Sequence, residues 1–323
     1  MRDACRQLRR YGHVPKWYNV GMKTLTLFLS AAVSLSVVAA PLRFLSFNIW
    51  GDYFKNPVAE RQDGVAAIIR GHRPDLVSLQ EVTPGWWNGT LFADLKAAGL
   101  ETLRGDETNA LLRAGAPKNT ATWPKKYVNH EPLCYNPRRL KLLDQGLDFY
   151  HLHIQVEKSV TWGVFEDRES GRRFMAFATH FWWMSNGKES DMLRELNARH
   201  ILDRVADVRK KWGADLPVIG GGDLNTRPGS WAYEAFRDAG WENAAASADV
   251  KSPICSHHGD PKRGADGKYR GFQNPKCNLA SNSIDHVFFT PKGIHVLKHD
   301  IDVSQPALDV SDHSPVVVDF ELK

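Results

Sequence analysis

Apolar and polar positions along the chain fall into two periods. Alternation around aromatic and β-branched residues marks LRFLSFNIW (42–50) as a strand. DLVSLQEV (75–82) reads the same way and ends near Glu81, and RRFMAFATHF (172–181) ends near His180. LPVI is a buried strand that runs into GGGDLNTRPGS (220–230). PLCYNP around Cys134, SIDHVFFT (283–290), IHVLKHDIDV and SPVVVDFELK are further strands. A helical period appears from Pro57 to Arg70, through Val58, Val65, Ile68 and Ile69. The longest helix is expected from Glu189 to Lys211, with Leu193, Leu196, Ile201, Leu202, Val205 and Val208 on one broad face. SWAYEAFRDAG is a short helix closed by Gly240. Residues 83–130 are rich in Gly, Thr, Asn and Trp and show no clear period. No Pro/Ser-rich linker interrupts these elements, so a single domain is expected over residues 40–323. Strands and helices mix without a strict βαβ rhythm, which points to sheet packed on sheet with helices outside.

The amino end follows different rules. Residues 1–21 are polar and basic, and MKTLTLFLSAAVSLSVVAAP after them has the form of a signal peptide. Lys23 is its basic head and Leu25–Val38 its apolar stretch, with cleavage expected after Ala39. Residues 1–39 thus read as a leader, the signal spanning 22–39 and Met22 the expected true start. The apolar run falls short of the roughly 20 residues a membrane span needs, so no stable span is expected. The mature chain would be secreted or periplasmic. Composition is ordinary for a globular protein, 42% hydrophobic and 24% charged. Removing the leader removes six basic residues and one acidic residue. It leaves 36 of each from 42 and 37, so the mature chain is formally neutral. A global electrostatic pull on nucleic acid is therefore not supported. In an oxidising compartment Cys255 and Cys277, which flank a glycine-rich charged loop, could pair. Such a closure would contribute about 3 kcal/mol; two unrelated thiols are the alternative. Asn88-Gly89-Thr90 is a glycosylation sequon, meaningful only in a eukaryotic secretory pathway.

Eight polar residues share one kind of position, the end of an apolar strand near a turn. They are Asn48, Glu81, His180, Asp223, Asn225, Asp285, Asp312 and His313. Each alone could be a turn former, a cap or a satisfied histidine. Together they point to one edge of a sandwich. Glu, Asp and Asn supply hard oxygen ligands, suited to Mg²⁺, Mn²⁺ or Ca²⁺ rather than zinc. There is no HExxH, and no Cys/His set has convincing zinc spacing. Histidines beside carboxylates suit proton transfer and the stabilisation of a charged oxygen. The set suits attack by water on a phosphate ester. GxSxG and Walker A sequences are absent.

FNIWG, LQEV, ATHF, GGDLNTRPGS, SIDHVFF and SDHSPV occur in order across residues 42–323. In this the chain resembles the endonuclease/exonuclease/phosphatase superfamily, the fold of DNase I. The resemblance implies a four-layered α/β sandwich, two packed, mainly antiparallel sheets flanked by helices. It implies Glu81 as main metal ligand, with Asn48 beside it and Asp312 contributing. Asp223 would orient or deprotonate the attacking water, and Asn225 would hold a phosphate oxygen or the metal. His313 would contact the phosphate with its ring fixed by Asp285; His180 would act similarly, or as acid. Asp223 and Asn225 are expected to point together from an extended strand end. The chain departs from the family in FWWMSNGKE after His180. There Trp182 and Trp183 are candidates for a flat substrate-binding platform, with the same ambiguity at Trp86 and Trp87. The tyrosine that some nuclease members place near the phosphate has only weak counterparts, Tyr150 and Tyr135. A phosphodiesterase or nuclease reaction leads. A phosphomonoesterase or a sphingomyelinase-like head-group hydrolase is the alternative, and a non-catalytic binding module the remaining class. The expected partner is a phosphate ester, with nucleic acid and a phospholipid head group as candidates, and a monomer is expected. N-terminal sequencing of the exported protein should begin at Ala40, with Pro41 as the lesser alternative. Soluble protein that keeps residues 1–39 would refute the leader.

Overall fold

The structure is a computed structural model that describes residues 39–53, 57–113, 128–150, 158–252, 255–259, 262–263, 265, 269–270 and 283–323. The chain runs through β1 (Leu42–Asn48), α1 (Gln62–His72), β2 (Leu76–Gln80), α2 (Pro84–Trp87), α3 (Leu91–Ala97), β3 (Glu101–Leu103) and α4 (Glu107–Arg113). It continues with β4 (Leu133–Tyr135), β5 (Leu140–Phe149), β6 (Ser159–Asp167), β7 (Arg173–His180), α5 (Lys188–Trp212), β8 (Val218–Asp223) and α6 (Trp231–Asp238). After β9 (Glu242–Asn243), α7 (Ala244–Ser247) and β10 (Val250–Lys251) comes a small ribbon, β11 (Lys262–Arg263) with β12 (Tyr269–Arg270). β13 (Asp285–Phe289), β14 (Ile294–Ile301), α8 (Gln305–Val310) and β15 (Val316–Leu322) complete it.

Among the described residues the main strands form two mixed sheets, of seven strands ordered β10-β14-β15-β1-β2-β4-β3 and of six ordered β5-β6-β7-β8-β13-β9. Most neighbours are antiparallel; β1–β2, β10–β14 and β7–β8 are parallel. Period-2 alternation sorts each strand between two layers of core. In β1, Leu42 and Phe44 join Phe174, Ala176, Ile219 and Val287 between the sheets, whereas Leu45 and Phe47 pack outward with Val65 and Ile69 of α1. On the other side Met175, Phe177 and Phe288 pack outward against Ile201 and Val205 of α5 and Phe236 of α6. Helix, sheet, sheet and helix therefore make four layers, the architecture expected from the resemblance. No helix of the described residues is long and apolar enough to cross a membrane.

Several local expectations change. The first helix starts at Gln62, not Pro57. Val58 sits in the preceding turn, closed by Arg61 N–H on the Val58 carbonyl, yet is buried in the same core, which mimics helical spacing. The amino-terminal half of α5 buries Ser190, Arg194 and Asn197, while Leu196 is exposed. That polar face exists because Arg194 serves the neighbouring loop, as described below. β8 runs beyond the expected LPVIGG, through the third glycine to Asp223. A Cβ on Gly221 would collide with the backbone carbonyl of His286, and one on Gly222 with that of Thr179. Cys134 is buried and free, and burial pushes its thiol up to about 12. Cys255 is buried and disulfide-bonded; Cys277 lies outside the described residues, as does the leader through Val38.

One buried histidine gives the fold a pH dependence. His299 in β14 is buried, its Nδ1 lacks a hydrogen-bond partner, and burial lowers its pKa to about 4. An unfolded histidine takes a proton below about pH 6.5, whereas folded His299 does so only below about 4. Its contribution is therefore intact above pH 6.5 and is lost as pH falls toward 4. By linkage this amounts to about 2 kcal/mol at pH 5. His299→Leu should remove that share of the difference between urea unfolding free energies at pH 7 and pH 5. An unchanged difference in the variant would rule the assignment out.

Candidate active site

At one end of the sandwich the inward-facing positions stop being apolar. β7 and β8 are parallel with His180 opposite Asp223, and β8 and β13 are antiparallel with Asp223 opposite Asp285. Three neighbouring strands thus end in a row of acid and imidazole. From the facing sheet, β1 delivers Asn48 beside Gln80 of β2. The Asn48 amide donates to Asp223 Oδ2 at 3.0 Å and to Glu81 Oε1 at 3.1 Å, tying the two sheets. Ser78 adds a second tie, donating from Oγ to the Gly221 carbonyl at 2.8 Å.

Asp223 is the centre of the cluster. Its Oδ2 lies 3.2 Å from His180 Nε2 and 3.6 Å from His313 Nε2, and its Oδ1 accepts from Asn225 N–H at 2.9 Å. Burial pushes its carboxyl up, but His180, His313 and the Asn225 N–H outweigh this and hold it well below the usual carboxylate range. Asp285 Oδ2 meets His313 Nδ1 at 2.7 Å and accepts from Ser256 Oγ at 2.6 Å. Burial would lower the His313 pKa; Asp285, Asp223 and Asp312 reverse this and raise it well above its ordinary value. At neutral pH the site holds an ionised carboxylate beside an imidazolium.

Of the four described non-glycine residues with left-handed backbone, two belong to the cluster, Glu81 at φ 61° and Asn225 at φ 47°. A non-glycine residue there is under strain that surrounding contacts must hold. Glu81 is held by Asn48 and by Gly51 N–H on Oε2 at 2.8 Å. Its pKa is lowered: burial opposes, but His180, Lys158 and these two donors prevail. Asn225 is therefore not extended, contrary to expectation. Its amide turns back to 3.0 Å from His180 Nε2 and donates to the Phe181 carbonyl. Asp312 is buried within ligand-atom distance of His257 and His313.

Sequence reasoning missed several members. Lys158 is buried with its ammonium 2.7 Å from His180 Nδ1, and Glu131 Oε1 lies 3.9 Å from the same nitrogen. Lys158 flanks β6, a strand outside those expected from the sequence, whereas Glu131 lies just before β4, where the strand-end signal was present. Buried Arg61 donates to the Ile49, Trp50 and Val310 carbonyls and so fastens the Asn48 turn to the SDH turn. Ser311 donates to the Asn48 carbonyl at 2.7 Å.

The tryptophans separate. Trp86 is fully buried, and Trp87 stacks on Phe92 under Arg104. Trp182 is half-buried and Trp183 exposed, with rings tilted by 43°, so the pair does not form one flat surface. Trp183 instead lines a cleft of about 390 Å³ with Arg194, Asn225, Arg227 and His257. Tyr150 shares a hydrogen bond with Thr179, and Tyr135 donates to Glu101.

A profile of the Endonuclease/Exonuclease/phosphatase family matches residues 45–313. No curated protein matches the chain by sequence. Among solved structures, an endonuclease/exonuclease/phosphatase from Bacteroides vulgatus aligns with TM-score 0.63 at 23% identity, over 88% of this chain and 100% of that one. The Bacteroides thetaiotaomicron mannosyl-6-phosphatase aligns with TM-score 0.60 at 19% identity, over 87% and 100%. D. rerio TDP2 complexed with a single-strand DNA product aligns with TM-score 0.59 at 15% identity, over 88% and 100%.

Arg194 carries a prediction for the cleft wall. Its guanidinium donates to the Trp182 and Met184 carbonyls at 2.9 and 2.7 Å and to Asp191 at 3.0 Å. Arg194→Met should destabilise the protein by about 1.5–3 kcal/mol, the range for hydrogen bonds to a charged group. It should also expose Trp182 to acrylamide quenching. Wild-type stability and quenching in the variant would show that the loop does not depend on it.

Proposed function

The chain belongs to the Endonuclease/Exonuclease/phosphatase family, and on that premise we propose that it is a divalent-metal-dependent hydrolase of phosphate esters, of the phosphodiesterase type. The observation that carries this is Asp223 held between His180 and His313, with Asn48 linking it to Glu81. Glu81, Asn48 and Asp312 would hold a Mg²⁺ or Mn²⁺ ion. The fit is supported by the donor chemistry: Glu81 is kept ionised, and its partners are an amide and a backbone N–H. When bound, such an ion would neutralise charge on the phosphate oxygens.

The remaining roles belong to the protein. Asp223 is a poor proton acceptor while its pKa is depressed, which favours orienting water over deprotonating it. Imidazolium His313, fixed by Asp285, would donate to a phosphoryl oxygen as negative charge grows. His180 and Asn225 would donate from the other side. Trp183 and the adjacent cleft would receive the group beyond the phosphorus. The cleft is near the lower end of ligand-site volumes, which favours a small leaving group and gives a second reading, phosphomonoester or lipid head-group hydrolysis. We further propose export with cleavage after Ala39 and a Cys255–Cys277 bridge. The first is supported by the apolar stretch before Ala39 and the second by the disulfide at Cys255.

The test is hydrolysis of plasmid DNA, RNA, bis-p-nitrophenyl phosphate, p-nitrophenyl phosphate, sphingomyelin and inositol phosphates with Mg²⁺, Mn²⁺ or Ca²⁺. Activity on none of them would sink the proposal. Variants then separate the roles. Glu81→Gln should weaken metal affinity, and excess Mg²⁺ or Mn²⁺ should restore part of the rate. His313→Ala and Asp223→Asn should lose about 10²–10³-fold in rate, and added metal should not restore it. Metal titrations of turnover, with circular dichroism as folding control, decide the matter; a fully active His313→Ala would refute its role.

A further inference from the structure

We propose a second metal site, selective for Zn²⁺-like ions over Mg²⁺, formed by His257, Asp312 and His313. The three offer ligand atoms that all lie within 4.8 Å of one another. Their placement is fixed by backbone: His257 and His313 form an antiparallel bridge, His258 N–H donates to the Asp312 carbonyl at 3.0 Å, and Ser314 N–H to the Ser256 carbonyl at 2.7 Å. The two imidazole centroids are 4.7 Å apart.

A second observation points to a metal. Asp285 meets His313 Nδ1 at 2.7 Å, so the ligand atom is Nε2, which lies 3.6 Å from Asp223 Oδ2 and must release its proton when a metal binds, and Ser256 in turn bonds Asp285. A carboxylate behind a ligating histidine is the usual support of a zinc ligand. Two imidazoles and one carboxylate are a borderline donor set that favours Zn²⁺ or Co²⁺ and suits Mg²⁺ poorly. Tetrahedral zinc with bonds near 2.0–2.1 Å sets its ligands roughly 3.3 Å apart, so the groups must close by up to about 1.5 Å. His257 is half-buried and lines the cleft. Sequence spacing hides the site, since His257 lies far upstream of the SDH turn.

Occupancy would draw His313 and Asp312 out of their other contacts, so zinc should inhibit hydrolysis. That consequence rests on the function proposed above; binding itself does not. The experiment is a Co²⁺ titration followed by visible absorption, with Zn²⁺ inhibition of Mg²⁺-supported bis-p-nitrophenyl phosphate hydrolysis as the second readout. Wild-type protein should show one d–d band, displaced by Zn²⁺. His257→Ala should lose the band and need at least about tenfold more Zn²⁺ for half-inhibition. His257→Gln repeats the test should the alanine variant misfold by circular dichroism. Glu81→Gln should keep the band. No band in the wild type, or a band unchanged in the folded His257 variant, overturns the site. So does a band lost in Glu81→Gln and kept in His257→Ala. Should the protein hydrolyse nothing while the band follows His257, the function fails and the site stands.

Discussion

The structure depends on the close approach of two sheets at one end of their shared core. Deeper in, Phe44, Phe174 and Ile219 keep the sheets apart with ordinary side chains. Toward the site β8 contributes Gly221 and Gly222, where a Cβ would meet backbone of the neighbouring strands. The gap left by these absent side chains is filled by polar groups, Ser78 on the Gly221 carbonyl and Asn48 on Asp223. Each sheet carries half of the polar cluster, and only this approach brings the halves within hydrogen-bond distance.

Burial sets the second constraint. A lone carboxylate or imidazolium here would be costly, so the charges are arranged to answer one another. Asp223 lies between two imidazoles, His313 between Asp285 and Asp223, and Lys158 beside His180 and near Glu131's side of the ring. The same pairing that makes burial tolerable separates the protonation states, keeping Asp223 ionised and His313 protonated. A site of this kind suits a ligand rich in negative oxygens.

Loops are held by buried guanidinium groups that grip carbonyls. Arg61 fastens the turn after β1 to the end of α8, and Arg194 fastens the loop after β7 to α5. Neither lies in the polar cluster, yet each fixes a segment that does. The strained backbones of Glu81 and Asn225 are held in the same manner, by several directed contacts each.

The strands that carry the site were legible because their alternation is local: β1, β2, β7 and β8 run from apolar residues into polar ones, and β13 and β15 follow polar residues at their start. Period, turn chemistry and strand-end chemistry are properties of neighbouring residues, so Asn48, Glu81, His180, Asp223, Asn225, Asp285, Asp312 and His313 could be named as one set from the sequence. Strands β5 and β6, the polar face of α5, and the short elements between residues 83 and 113 were not legible. Their side chains are chosen by what packs against them rather than by local period. The contribution of His257, the bond from Asn48 to Asp223, the presence of Lys158 and the separation of Trp182 from Trp183 are likewise contacts between distant segments. Sequence determined which residues stand at strand ends; tertiary structure decided which of them meet, because register and sheet packing bring together groups that no local pattern relates.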